Sequence, residues 1–107
     1  MPANRAIAPP MPGEILRRRL KAESVAIRQD ELADALKVTR LTVNHILNGK
    51  SAITPDMALR LEAVLGTSPR MWLKLQAEYD LFVARRKLGD KLSEMPRLVN
   101  LDDGPPA

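Results

Sequence analysis

Residues 29–50, QDELADALKVTRLTVNHILNGK, decide the fold. Leu32, Ala33 and Leu36 fall at the i, i+1 and i+4 positions that fill one face of a helix. Lys37-Val38 makes a turn, with Val38 directed inward. Thr39 is suited to cap the next helix, because its hydroxyl can accept an early backbone N–H. That second helix runs from Arg40 to about Asn48, with Val43, Ile46 and Leu47 at core spacing. Gly49 then takes the position after the helix, where the chain needs a positive φ.

Between the core positions of the second helix, Arg40, Thr42, Asn44 and His45 must point outward. Donor and acceptor side chains on an exposed helix face are what reading base edges in a major groove requires. Arg40 suits the O6/N7 fork of a guanine, and Leu41, near the helix start, suits a thymine methyl. Gln29, Thr39, Asn48 and Lys50 are assigned to phosphates, which set register without carrying sequence information. For Thr39 and Asn48 a purely capping role stays open. The stretch reads as a DNA-binding helix-turn-helix.

Charge placement agrees with that reading. The formal charge of +4 lies wholly in residues 1–53, which hold nine Lys/Arg against five Asp/Glu, while residues 54–107 hold eight of each. A basic excess in the half that carries the reading helix is the footprint of phosphate contact. The chain has no cysteine and one histidine, which excludes a disulfide framework, thiolate chemistry and a zinc site. His45 has no nucleophile beside it, and the five glycines sit as caps and turns rather than in a phosphate loop. No catalytic residue, cofactor or metal is expected. No apolar run approaches membrane-spanning length, and no apolar leader opens the chain, so a cytoplasmic protein is expected.

Outward from the central stretch, residues 1–11 lack periodicity and read as a disordered or extended arm, with Met11 an alternative start. A first helix follows from Pro12 or Gly13 to about Ala22, with Ile15, Leu16 and Leu20 inward. Its Arg17-Arg18-Arg19 run spreads around the helix and reads as a solvated face. Thr54-Pro55 opens a fourth helix with Ala58, Leu61 and Leu65 inward and Gly66 at its end, and Ser68-Pro69 opens a fifth. The ordered domain is thus expected over residues 12–92, with a tail over 93–107.

The fifth helix, about Pro69 to Leu88, carries two apolar stripes. Trp72, Leu75, Tyr79 and Phe82 lie on one side. Leu73, Ala77, Leu81, Ala84 and Leu88 lie on roughly the other. A surface helix of a monomer needs one stripe. The second is assigned to a homodimer interface, the alternative being a tail whose Leu98, Val99 and Leu101 fold back over it.

Gln29–Lys50, with its Q-x-x-L-A-x-x-L and V-x-x-I-x-N-G, resembles the lambda-repressor-like (Xre-type) helix-turn-helix, in which the third helix enters the major groove. PGEILRRRL, NGK-x-x-IT-x-x-x-ALRL and GTSPRMWLKLQAEYDL, spanning Pro12 to Leu81, resemble the HigA-family antitoxins of toxin–antitoxin modules. Arg28, where a small capping residue is usual, and Lys37, where glycine is common, depart from the pattern. The resemblance implies an all-α, five-helix lambda-repressor-like domain with an extended fifth helix, working as a homodimer. It also implies repression of its own operon at palindromic operator DNA and neutralisation of a cognate toxin, a RelE-like ribonuclease of HigB type. A stand-alone Xre-type regulator without a toxin remains the alternative. An interaction module that no longer reads DNA is disfavoured by the polar outward face.

Overall fold

The computed structural model describes residues 7–22 and 26–102. Expectations for the first six residues, for part of the link before Gln29, and for the last five residues lie outside that range. Five helices follow one another: α1 Pro12–Ala22, α2 Gln29–Leu36, α3 Arg40–Leu47, α4 Pro55–Leu65 and α5 Pro69–Leu88, closed by a 3-10 turn at Gly89–Lys91. Among the described residues there is no strand.

Three helices start on the hydroxyl caps expected for them. Thr39, Thr54 and Ser68 accept the N–H groups of Thr42, Met57 and Met71 at 3.1, 3.2 and 3.2 Å. α2 has no such cap, since the guanidinium of Arg28 offers no acceptor. There Glu31 reaches back to the Arg28 N–H at 3.0 Å, and Asp30 accepts the Glu31 N–H at 2.9 Å. The α2 helix therefore begins at Gln29 without a small capping residue. The Arg28 guanidinium grips Asp30 instead (3.1 and 2.8 Å), and those hydrogen bonds lower the Asp30 carboxyl from 3.8 to about 2.

At the turn, Lys37 adopts φ 62°, a left-handed conformation that usually falls to glycine. Val38 N–H bonds the Ala33 carbonyl at 3.0 Å and Lys37 N–H that of Asp34 at 3.2 Å. This is the paired hydrogen-bond pattern that closes a helix end. The carbonyls of Leu36 and Lys37 are taken by Arg60 of α4, at 2.6 and 3.4 Å, while Asp56 holds the same guanidinium at 2.5 Å. A cation on a helix C-terminus is favourable in charge as well as in hydrogen bonding. The α2–α3 turn is thereby tied to α4.

The core joins all five helices: Leu16 and Leu20, Leu32 and Leu36, Val43 and Leu47, Met57 and Leu61, and Trp72 are buried. Ile53 and Met57 join it although the helical spacing alone did not mark them, and Leu65 packs only partly against it. The α1 and α3 backbones approach so closely that a Cβ on Gly13 would collide with the Ile46 carbonyl oxygen.

Burial fades along α5. Trp72 is fully enclosed, Leu75, Tyr79 and Phe82 are half-buried, and residues 83–88 are exposed. On the second stripe, Leu73 is half-buried against the domain's own core, so the free stripe starts at Ala77. Leu81 and Leu88 are 51% and 39% exposed. The tail does not cover them: residues 93–102 are exposed, with Leu98 at 91%. The radius of gyration is 17.6 Å, against about 13 Å for a compact chain of this length, in keeping with the exposed end of α5 and the exposed residues 93–102.

Candidate nucleic-acid interface

α3 presents the assigned face. Arg40 is exposed, and Leu41 beside it is 62% exposed. Thr42, Asn44 and His45 are half-exposed, while Val43, Ile46 and Leu47 anchor the opposite side. The Thr42 hydroxyl lies 2.9 Å from that of Thr39, so these two side chains form one unit at the helix start.

At the far end of α3, Lys50 N–H bonds the His45 carbonyl at 2.8 Å and Gly49 N–H that of Ile46 at 3.1 Å. Gly49 takes φ 76° there. Asn48 and Lys50 are consequently displayed on a closed helix end rather than a frayed one. The Ile53 N–H, bound to the Gln76 Oε1 at 2.8 Å, secures the following loop to α5. Gln29, half-exposed, opens α2.

Arg17 departs from the solvated face expected of it. Its Nη2 donates to the Asn48 Oδ1 at 3.0 Å and to the Leu47 carbonyl at 3.4 Å, linking α1 to the end of the reading helix. Arg18, Arg19 and Lys21 do lie in solvent, with the Arg19 Nη2 3.7 Å from the Met71 Sδ. Arg17 and Arg60 therefore hold the two ends of the α2–α3 unit from outside it. Neither was singled out in the sequence for this, since an arginine's partner across the fold has no local signature.

Among the described residues no three His, Cys, Asp or Glu side chains are grouped to hold a metal, and no buried polar side-chain atom lacks a hydrogen bond. No described helix is long and apolar enough to cross a membrane.

Residues 16–72 match a family model described as helix-turn-helix. Antitoxin HigA-1 of Vibrio cholerae is 33% identical over 91 residues, covering 84% of this chain and 85% of that protein. YddM of Escherichia coli, a helix-turn-helix-type transcriptional regulator, is 39% identical over 90 residues, covering 84% and 92%. Among solved structures, antitoxin GraA in complex with its operator superposes with a TM-score of 0.78 at 41% identity, covering 89% of this chain and 96% of that one.

Proposed function

Since the chain belongs to the helix-turn-helix family and, within it, to the HigA-type antitoxins, we propose that it represses its own operon as a homodimer and neutralises a cognate toxin. The observation that carries the DNA part is the rigidly capped α3 with its polar outward face. Relatives of the same fold bound to operator DNA support it. Arg40, Leu41, Thr42, Asn44 and His45 meet base edges, and Gln29, Thr39, Asn48 and Lys50 meet phosphates. The toxin part rests on family membership: a RelE-like ribonuclease of HigB type, met in the cytoplasm. The alternative, a stand-alone Xre-type regulator, draws on the similarity to YddM.

Two experiments test the reading. Footprinting on the DNA upstream of the gene should protect a palindrome whose half-sites lie about one helical turn apart. Co-expression with the neighbouring reading frame should rescue growth if that frame encodes the toxin. Protection without rescue favours the stand-alone regulator; absence of any protected site removes the repressor.

Arg40→Ala should weaken operator binding by about 1–3 kcal/mol and relax preference at a single base pair. An isotherm and base preference matching wild type would take Arg40 off the base edges.

Dimerisation is assigned to the exposed stripe of α5, Ala77, Leu81, Ala84 and Leu88, continuing from Leu73 at its buried end. Leu81 is half exposed in the monomer, so Leu81→Glu leaves the domain folded. The variant should run as a monomer in gel filtration with an unchanged helical spectrum, and bind the operator at least about tenfold more weakly, having lost the second half-site. Wild-type dimer and repression in Leu81→Glu would exclude the stripe from the interface.

A further inference from the structure

The exposed apolar surface of this chain is gathered at one end. Among the described residues, all exposed large hydrophobic side chains except Ile7, Leu41 and Leu59 lie at or after Leu81. They fall on two segments, the free stripe of α5 and the tail beyond it. We propose that the tail is an exchanged arm: residues 96–101, PRLVNL, lie along the α5 stripe of a second copy of this chain. The inference rests on the homodimer reading above and deepens it by naming what covers the stripe.

Size is the first support. Stable interfaces take about 20–30 residues from each partner. The free stripe supplies Ala77, Leu81, Ala84 and Leu88, too few to hold two chains together by themselves. Residues 93–102 of each chain, laid on the other, bring each side toward the required size.

The match between arm and stripe is the second. Leu98, Val99 and Leu101 stand 91%, 61% and 89% exposed in one short run. Contiguous exposed apolar surface of this kind marks an interaction site. At about 1.5 Å per residue, the stripe from Ala77 to Leu88 is about 17 Å long. An extended run from Pro96 to Leu101, at about 3.3 Å per residue, spans about the same distance.

Direction is the third. After α5 the chain closes into a turn, in which the Ser93 N–H and hydroxyl donate to the Asp90 carbonyl at 3.1 and 2.8 Å. The Met95 N–H bonds the Leu92 carbonyl at 3.3 Å, and Pro96, having no N–H, ends the turn. The chain leaves it with residues 93–102 all exposed, so the arm packs on no part of its own domain. Stripe and arm, both bare in one protomer, are covered together by exchange between two.

The test is sedimentation equilibrium on the full chain, wild type against the double variant Leu98→Glu/Leu101→Glu. Both side chains are exposed in the protomer, so the helical spectrum should be unchanged. The dimer dissociation constant should rise at least about tenfold. A wild-type constant in the double variant overturns the arm while leaving the dimer standing. A monomeric wild type overturns the dimer reading and the arm with it. Cross-linking then separates exchange from fold-back. The chain has no cysteine, so thiols introduced as Ala84→Cys and Val99→Cys are the only ones present. These positions lie near the middle of stripe and arm, and so approach each other whichever way the arm runs. A short bis-maleimide should give a dimer-sized product whose linked peptides join positions 84 and 99. The same link in a monomer-sized product means that the arm folds back on its own helix, and overturns the exchange. A product joined only through position 84 of both chains puts stripe on stripe without the arm, and overturns it as well. Absence of any link to position 99 does the same.

Discussion

Trp72→Ala should lower the melting temperature by roughly 15–30 °C, close to loss of the fold at growth temperature. The indole is fully enclosed where α5 meets the rest of the core, and its Nε1–H donates to the Thr67 hydroxyl at 2.7 Å. Removing a buried tryptophan costs about 3–5 kcal/mol from lost apolar burial and the remaining cavity. A domain of this size has only about 5–15 kcal/mol in total. Trp72→Phe separates the two contributions, since it keeps most of the apolar surface and loses the hydrogen bond. Thermal melts followed by circular dichroism provide the measurement. A decrease below about 5 °C for Trp72→Ala would mean that α5 folds independently of the helix-turn-helix.

Gly13→Ala sets two effects of opposite sign against each other. In an isolated helix alanine is favoured over glycine by about 1 kcal/mol. Here the added methyl would collide with the Ile46 carbonyl oxygen and lie 3.0 Å from that of Leu47. Those are backbone atoms of the reading helix, which cannot rotate aside as a side chain can. α1 and α3 must separate, and overpacking of this kind costs about 1–3 kcal/mol or more. The steric term prevails, so the variant should melt roughly 5–15 °C lower. Operator binding should weaken even at temperatures where the variant is folded, because the Leu47 carbonyl and Asn48 move relative to Arg17. A raised melting temperature would show that helix propensity wins and that the contact relaxes without cost.

Much of the fold was legible because its signals are local. A hydroxyl cap is read within three residues, as at Thr39, Thr54 and Ser68, and proline after it fixes the start. Leu32, Ala33 and Leu36, then Val43, Ile46 and Leu47, declared their faces by spacing and are buried as expected. Loop positions gave less. Ile53 lies outside any helix, so no periodicity marks it, yet it is 2% exposed. Arg28 departs from the usual small capping residue, and Glu31 and Asp30 supply the acceptors that it lacks.

By itself, then, the sequence determined five helices, their ends and the polar face of the third, since each depends on residues within a turn or two. The tertiary structure decided how that face is held. Arg17 reaches Asn48, Arg60 reaches Leu36, and Gly13 admits the backbone of Ile46 only because helices distant in the chain cross there. The direction of a long side chain across such a crossing depends on interhelical angle and distance, which arise from packing the whole core at once. The residues from Gln29 to Lys50 carry the reading helix; α1, α4 and α5 set where it stands.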